Sequence, residues 1–440
     1  MITNHLLRLP LELLRLTLNS LPDVGSLASA ALSRRSLNWA FKGDEDRLIR
    51  NVLINCIGSD ALPEALLVYR TLPPCTVDGT LQRDDSVYTN DDDDELYSQT
   101  ADLFRSLVRP ETPSETWTVA MREALGLSDF HLRAVLPLVQ TFFQRCAEAA
   151  PPHVSLGDDL LSHPPSRSER ERVVRVLYYF ELYCRLYRHA HNHSRLFQEY
   201  FGKKFLEKFA PQEVVRLGCI HDFLAGEILP VYNNMAEHDI TWGYFGIQDN
   251  VTITYNSIQC FLILGLEKIQ EISSCISSPY PVQEAVLNGH MPMTDPHFLS
   301  YALIYYSQVD PHEPHRKKHQ VFCPVEGPGA ETIWVTKPTG GTNYEMYGRH
   351  DWSHRHWGYF MWDYERLRTL GVVYTSWGRD EELQLHYKLP IRPQSEFSYD
   401  ARSDIYLRGG RGYWAEGDET HIVWTSIPDD PDQSEGDASI

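Results

Sequence analysis

The first forty residues carry apolar side chains at helical spacing, in two sets separated by a short break. The first set is Leu14, Leu18 and Leu21, with Leu13 and Leu16 beside them. A helix is predicted to begin near Pro10, because the first turn of a helix does not need the N–H that proline lacks. Pro22 and Gly25 are predicted to end this helix. The second set is Leu27, Ala28, Ala31 and Leu32. Two short helices with stripes this wide are predicted to need a partner surface, since neither can bury its stripe by itself.

The helical period continues along most of the chain. Further helices are predicted over 48–57, 63–67, 137–146, 173–187, 197–209, 211–228 and 258–276. We expect the helix over 48–57 to pack onto the first two, and the helix over 173–187 to lie at the centre of a core. The predicted fold is mainly α: an N-terminal helical hairpin, a larger α-helical domain and an irregular Trp-rich C-terminal region with a few short strands.

Composition divides the chain into segments. Most of the ten tryptophans lie beyond residue 330, short strands are predicted at 333–336 and 371–374, and residues 416–440 are rich in acidic side chains without lysine or arginine. The predicted organisation is an N-terminal module at 1–60, a helix and acidic linker at 61–95, a helical domain at 96–330, a Trp-rich irregular region at 331–415 packed on that domain, and an acidic disordered tail at 416–440. The run of acidic residues at 91–95 lacks the central glycine of a calcium loop.

The N-terminal segment Leu9-Pro10-Leu11-Glu12-Leu13-Leu14 resembles an F-box, the short helical module by which substrate receptors dock onto the adaptor subunit of cullin-RING ubiquitin ligases. The resemblance covers residues 9–41 and departs from the family pattern at Thr17, Gly25 and Leu37. It implies the adaptor-binding residues Leu9, Pro10, Glu12, Leu13, Leu14, Leu18, Leu21, Leu27 and Leu32. We therefore expect Leu14, Leu18 and Leu21 to keep an exposed face.

A second segment, Trp357-Gly358-Tyr359-Phe360-Met361-Trp362-Asp363-Tyr364-Glu365-Arg366-Leu367, is similar to one that recurs in filamentous-fungal proteins that begin with an F-box-like stretch. Residues 40–65 also resemble that group. The resemblance implies an adaptor partner and no known substrate.

Charge and cysteine usage narrow the function classes. The formal net charge of −20 disfavours binding to nucleic acid and to anionic membranes, because phosphate affinity depends on clusters of lysine and arginine. Charged residues interrupt the apolar run at the N-terminus, so no secretion signal is predicted, and we expect a cytoplasmic or nuclear protein. The eight cysteines occur singly and are predicted to be reduced, mostly buried thiols.

Two histidine-rich stretches have spacings that could ligate a metal. His189, His191 and His193 lie two apart, so only the outer pair would share a helical face. His312, His315, His319 and Cys323 have the best zinc-like spacing, although prolines disturb the local geometry and basic residues lie among them. A polar loop is the favoured interpretation, and no metal or other cofactor is predicted.

A third cluster of aromatic and charged residues extends from Arg349 to Glu365. Tryptophan and arginine are enriched at binding hot spots, so Trp352, Arg355 and Trp357 are predicted to bind the substrate protein. We expect Trp352 and Trp357 to be substantially exposed. The alternative is that these tryptophans form the edge of a core.

The sequence thus predicts a substrate receptor of a cullin-RING ligase without an active site of its own. Its partners would be the adaptor subunit and an unknown protein substrate. One alternative is a metal-dependent or acid–base enzyme that uses the His-rich region 312–356. Another is a structural interaction protein whose N-terminal hairpin is internal core.

Overall fold

The computed structural model describes residues 9–70, 118–151, 154–190, 195–207, 209, 211–245, 251–287, 298–306, 308–309, 344–345, 355–372 and 396–424. These residues are mainly helical, which confirms the predicted fold class. The chain divides into two compact units: unit 1 comprises Met1–Leu224, Leu262–Gln270 and Pro296–Leu383, and unit 2 comprises Ala225–Phe261, Glu271–Asp295 and Gln384–Ile440. The boundaries of these units differ from the segment boundaries that composition predicts.

The helices are numbered here in chain order. The first ten are α1 Leu11–Asn19, α2 Val24–Ser33, α3 Arg35–Lys42, α4 Glu45–Ile57, α5 Leu62–Arg70, α6 Met121–Phe130, α7 Leu136–Ala149, α8 Leu156–Ser162, α9 Arg167–Ala190 and α10 Arg195–Leu206. They are followed by α11 Pro211–His238, α12 Ile240–Tyr244, α13 Val251–Leu262, α14 Leu266–Ser274, α15 Tyr280–Leu287, α16 Leu299–Tyr306, α17 Tyr364–Thr369 and α18 Glu396–Leu407. A π-helical turn at His131–Val135 joins α6 to α7, and a 3-10 turn at Tyr359–Met361 precedes α17.

The N-terminal hairpin is confirmed with altered ends. Pro10 is the N-cap of α1, one residue before the helix, and its ψ of 154° is extended. The break lies at residues 21–23, so the prediction that Gly25 interrupts the helix was wrong. Asp23 caps α2 instead, because its carboxylate accepts a hydrogen bond from the backbone N–H of Ser26 at 2.7 Å. An additional helix, α3, follows directly and buries Ala40 and Phe41.

Helix α4 packs onto α1 and α2, as predicted. Its buried face comprises Leu48, Ile49, Val52, Leu53 and Ile57. Helix α2 also packs against α6, whose buried residues include Ala124 and Leu127. The N-terminal helices are therefore part of the core of unit 1.

Helix α9 forms the centre of unit 1, as its periodicity predicts. Val173, Leu177 and Phe180 are fully buried along it. Tyr183 lies among the aromatic rings of α10, with its ring centroid 4.9 Å from that of Phe205 and an interplanar angle of 75°. Such edge-to-face contacts stabilise an aromatic core beyond the area they bury.

Two predicted helices have different lengths in the structure. The helix predicted over 258–276 is divided into α13 and α14 at Gly265, whose φ of 87° is left-handed. A Cβ at this position would lie 2.6 Å from Glu181 Oε2, so glycine is required for both conformation and space. The helix predicted to end at Ile228 continues through Pro230 to His238 as α11, and the fully buried residues Val231 and Met235 extend its packed face.

Unit 2 contains α12, α18 and a small hairpin. Strand β3 (Gly410–Gly412) pairs antiparallel with β4 (Ile422–Trp424). Arg402 of α18 is fully buried, and its guanidinium donates hydrogen bonds to the carbonyl oxygens of Ala236 (2.7 Å) and Asp239 (2.9 Å) at the end of α11. This guanidinium therefore satisfies carbonyls that the helix end leaves without partners.

The hairpin corrects the prediction of a disordered tail at 416–440. Residues 416–424 form a turn and a strand, and Ile422 is buried against Ile240, Ile405 and Trp414. The strand forms because three apolar residues interrupt the acidic composition at 422–424. Residues 425–440 lie outside the described residues.

The Trp-rich region contains more helix than its composition predicts, since α17 and α18 lie within it. Its strand predicted at 333–336 lies outside the described residues, and of the strand predicted at 371–374 the structure describes only Gly371 and Val372, which follow the end of α17 in a turn. A short pairing of Gln308–Val309 with Tyr344–Glu345 (β1 and β2) belongs to unit 1. Where the structure describes the chain, no single helix is long and apolar enough to cross a membrane, and α4 with α5 meets that test only as a pair bent by 105°.

The described cysteines are free thiols, as predicted: Cys56, Cys146, Cys184, Cys219, Cys260 and Cys275. Burial raises the pKa of the Cys146 and Cys184 thiols well above the ordinary value, so both stay neutral. Cys75 and Cys323 lie outside the described residues.

Candidate docking surface

Helices α1, α2 and α3 each present apolar side chains to solvent. Leu13 and Leu16 are exposed on α1, one helical turn apart. Leu32 near the end of α2 is 82% exposed, and Trp39 on α3 is 68% exposed. We call Leu13, Leu16, Leu32 and Trp39 the N-terminal apolar set. These exposed side chains on three consecutive helices are the candidates for contact with another protein.

The other side of the same helices is filled by the chain itself. Leu14 and Leu18 of α1 and Leu27 of α2 are buried. Burial therefore contradicts the expectation that Leu14 and Leu18 keep an exposed face, and Leu21 is only half-buried. The physical reason is the additional helix α3, which packs against α1 and α2 and, with α4, covers the stripe that the hairpin alone would leave open.

Polar contacts fix the position of these helices. Asn55 of α4 donates hydrogen bonds to the carbonyl oxygens of Asn19 (2.8 Å) and Leu21 (3.2 Å), which closes the C-terminal end of α1. The N–H of Val24 at the start of α2 donates to the Ser128 hydroxyl of α6 at 3.5 Å. The exposed side chains are thus held on a rigid support.

The implied adaptor-binding residues divide by exposure. Pro10, Glu12, Leu13 and Leu32 are exposed, Leu9 and Leu21 are half-buried, and Leu14, Leu18 and Leu27 are buried. Leu16 and Trp39 are exposed but were not among the implied residues. The width of the apolar stripe was the available signal, because Leu16 lies one turn after Leu13.

The implied substrate-binding residues have a different environment from the one expected. Trp357 is only 1% exposed and Arg355 is buried as well, so neither can contact a partner directly in this structure. The Arg355 guanidinium instead donates to Asp222 Oδ2 at 2.8 Å. Trp352 lies outside the described residues. The prediction of an exposed Trp357 was wrong, and the alternative of a core edge holds for this residue.

Residues 355–372, which we call the strap, pack against the first turns of α9 and the residue just before that helix. Trp357, Met361 and Trp362 are buried, and the Trp362 indole N–H donates to the carbonyl oxygen of Trp357 at 3.2 Å. The Trp362 ring lies 5.4 Å from that of Phe143 in α7. Aromatic burial therefore holds this segment in unit 1.

Charged hydrogen bonds fasten the strap at the start of α9. Glu169 is fully buried, and its Oε1 accepts hydrogen bonds from the Asp363 N–H (2.9 Å) and from Arg366 Nε (2.8 Å). Arg366 also pairs with Asp159 of α8. Arg172 donates to Asp363 Oδ1 at 3.0 Å and to the carbonyl oxygen of Met361. Charge-assisted bonds of this kind are stronger than neutral ones and demand a fixed geometry.

The electrostatics of Asp363 follow from these partners. Burial alone would raise the pKa of its carboxyl group, but hydrogen bonds from Ser166 and Ser168 and the positive charge of Arg172 lower the pKa below its ordinary value overall. The carboxylate is therefore ionised at neutral pH. This arrangement holds the segment around Asp363 against the start of α9.

The histidine stretches give no support to a metal site. His191, His193, His312, His315, His319 and Cys323 lie outside the described residues, as do His350 and His354. Within the described ranges, no group of three or more histidine, cysteine, aspartate or glutamate side chains could hold a metal ion.

A buried histidine lies in the π-helical turn between α6 and α7. His131 Nδ1 lies 3.1 Å from the Tyr178 hydroxyl, and the two rings stack with centroids 6.1 Å apart. Burial lowers the pKa of His131 to about 4, so the imidazole is neutral at physiological pH. The pair serves packing, since both side chains are enclosed within unit 1.

Comparison with models of protein families found no match, and comparisons with curated proteins and with solved structures found no similar protein either. Function is therefore argued from the residues and their geometry.

Proposed function

We propose that this chain is an F-box-like substrate receptor of a cullin-RING ubiquitin ligase, related to the filamentous-fungal proteins that its sequence resembles. The N-terminal apolar set would contact the adaptor subunit. The observation that supports this proposal is the two-sided character of α1–α3: their inner leucines are buried in unit 1 while Leu16, Leu32 and Trp39 remain exposed. A docking role requires exposed apolar side chains on these helices, whereas a hairpin that serves only as core does not.

In this role the chain performs no chemistry itself. It would hold an unknown protein substrate while other subunits of the ligase transfer ubiquitin, and it would do so in the cytoplasm or the nucleus. The rigid attachment of α1 and α2 to α4 and α6 suits this task, because a receptor must keep its substrate at a fixed distance from the adaptor.

The test is co-purification of the adaptor with variants of the exposed leucines. Leu16→Glu and Leu32→Glu place a charge where an apolar contact is proposed, and each should weaken adaptor binding by about tenfold or more, since truncating a central interface side chain costs about 2 kcal/mol. Their melting temperatures should match that of the unchanged protein, because surface substitutions rarely alter stability. Leu14 is unsuitable for this purpose because it is buried.

Leu161→Glu is the matched control. Leu161 lies in α8 and is 87% exposed, so it receives the same charge on a different surface. Its adaptor binding should be unchanged. Failure of the unchanged protein to bind the adaptor, or equal binding by all three variants, would overturn the proposal.

One observation favours a second candidate, a structural interaction protein whose hairpin is core. The burial of Leu14, Leu18 and Leu27 is what that alternative requires of the inner face. The same experiment separates the two, because the structural alternative expects no specific adaptor binding.

A further inference from the structure

Unit 2 carries an exposed ridge of apolar side chains at the ends of α12 and α18 and on β4. Leu407 is 65% exposed and Trp424 is 51% exposed. Phe245, Tyr244 and Val423 are exposed beside them. These residues belong to unit 2, whereas the segment for which the sequence predicts substrate binding belongs to unit 1.

Ring contacts join several of these side chains. The Tyr244 ring stacks on Tyr406 with centroids 4.0 Å apart and an interplanar angle of 11°. Phe245 lies against both rings, with its centroid 5.2 Å from that of Tyr244 and 6.0 Å from that of Tyr406. Val423 and Arg411 are partners across the β3–β4 pair, so they lie on the same face of the hairpin. Contacts therefore run from Tyr244 and Phe245 through Tyr406 and Arg411 to Val423. Trp424 points to the other face of β4 and contacts Arg408, two residues after Tyr406.

Two arginines lie on the aromatic faces of this ridge. The Arg411 Cζ atom is 3.7 Å from the Tyr406 ring centroid, and the Arg408 Cζ atom is 5.4 Å from the Trp424 ring centroid. Stacking holds a guanidinium flat and leaves N–H groups in its plane to bind a carboxylate through two hydrogen bonds. We call Tyr406, Arg408, Arg411 and Trp424, with the exposed Phe245 and Leu407, the arginine–aromatic ridge.

Neither arginine has an acidic partner among the residues that the structure describes. Arg408 donates to the carbonyl oxygen of Asp404 (3.3 Å), and Arg411 donates to the carbonyl oxygens of Tyr406 (3.1 Å) and Gly410 (2.7 Å). In a chain with a formal net charge of −20, carboxylates are abundant, and many other arginines do pair with one. The ridge therefore presents two positive charges next to exposed apolar surface.

We propose that the arginine–aromatic ridge binds an acidic peptide segment of a partner protein, with carboxylates on Arg408 and Arg411 and an apolar side chain against Leu407 and Phe245. Arginine and aromatic residues together are the composition of binding hot spots. Charge complementarity selects acidic side chains at the two guanidinium groups. Nucleic acid fits less well, because its phosphate backbone has no apolar side chain to place against Leu407 and Phe245.

This inference goes beyond the proposed receptor function and does not depend on it. The ridge belongs to unit 2, whereas the N-terminal apolar set belongs to unit 1. Adaptor binding by the Arg408 and Arg411 variants should equal that of the unchanged protein, so the two proposals can fail separately.

The experiment measures fluorescence anisotropy of a short fluorescein-labelled peptide that alternates pairs of glutamate with leucine and phenylalanine, added to the full chain. A second peptide has glutamine in place of each glutamate. We expect the glutamate peptide to bind about tenfold more tightly than the glutamine peptide, and Arg408→Gln and Arg411→Gln each to weaken its binding by about tenfold. Leu407→Ala should weaken both peptides alike.

Arg368→Gln is the matched control, because Arg368 is an exposed arginine of α17 that pairs with Glu365. It should bind the glutamate peptide as the unchanged protein does. Circular dichroism melting checks the fold of each variant. If Arg411→Gln unfolds, Arg408→Gln and Arg411→Lys are used in its place. Arg411→Lys keeps the positive charge but cannot bind a carboxylate through two hydrogen bonds, so it should lose part of the affinity for the peptide.

Several results would overturn the proposal: no binding of the glutamate peptide, equal affinity for both peptides, or unchanged affinity in Arg408→Gln and Arg411→Gln.

A chain shortened to end at Trp424 tests whether the acidic residues 425–440 of this protein, and not a partner, bind to the ridge. If that shortened chain binds the glutamate peptide about tenfold more tightly than the full chain, the ridge is occupied by its own C-terminal residues and a partner segment is not its ligand.

Discussion

Leu14 and Leu16 lie two positions apart on α1 and have opposite surroundings. Leu14 is buried against the rest of unit 1, while Leu16 is exposed. Successive positions on a helix point in different directions, so one apolar stripe supplies both an inner and an outer face when it is wider than the core can use. The proposed docking function depends on this surplus.

At the residue scale, His131 makes stability depend on pH. Its pKa is lowered to about 4 by burial, whereas the unfolded chain has the ordinary value of 6.5. The unfolded state therefore binds the proton first, and the free energy of unfolding should fall as the pH drops from about 6.5 to about 4, by on the order of 3 kcal/mol. Urea denaturation at pH 7 and pH 5 should show about 2 kcal/mol of this loss, since the remainder falls below pH 5.

The variant His131→Asn removes the titrating group and should show a smaller decrease between the two pH values, although it is less stable at pH 7. His163→Asn, at an exposed histidine, is the control for the substitution itself. An equal pH dependence in His131→Asn and the unchanged protein would contradict this account.

At the scale of elements, the Glu169 carboxylate joins the strap at 355–372 to α9, because it accepts hydrogen bonds from the Asp363 N–H and from Arg366. Glu169→Gln removes one of the two carboxylates that the Arg366 guanidinium contacts, and Asp159 remains as the other. The substitution should lower the free energy of unfolding by about 2 kcal/mol, because a charge-assisted hydrogen bond is lost at a fully buried carboxylate. Chemical denaturation, with hydrogen exchange in α17, measures the effect.

Glu365→Gln is the control for this substitution. Glu365 pairs with Arg368 at the surface, and such pairs contribute little, so the free energy of unfolding should change by less than about 0.5 kcal/mol. If both glutamates gave the same small effect, the strap would be held by its aromatic side chains alone.

Sequence periodicity located most elements but few of the contacts between them. The helix over 173–187 and the packing of α4 on the hairpin followed from local apolar spacing. The strap did not, because Arg172 and Asp363 are 191 positions apart and no local pattern joins them. The same tryptophans and arginines can form a recognition surface or a core edge, and only long-range contacts decide between these outcomes.

At the scale of the whole molecule, the N-terminal helices are part of unit 1. Leu27→Ala should lower the free energy of unfolding by about 2 to 4 kcal/mol, because it opens a cavity under a fully buried side chain where α2 packs on α4 and α6. Leu32→Ala, on the same helix but exposed, should have little effect on stability.

Hydrogen exchange extends this prediction from one helix to the unit. The Leu27→Ala variant should lose protection in α4 and α6 as well as in α1–α3. Loss confined to residues 9–43 would mean that these helices unfold as a separate module, contrary to their packing.

The sequence by itself determined the mainly helical fold, the position of the N-terminal helices and the surplus of leucines on them, because helical spacing and proline placement act within a few residues. Only the tertiary structure decided which leucines are exposed, why Trp357 and Arg355 are buried, and how Arg408 and Arg411 come to lie on aromatic rings. Exposure depends on what the rest of the chain covers. That is a property of contacts between distant residues, which no local pattern records.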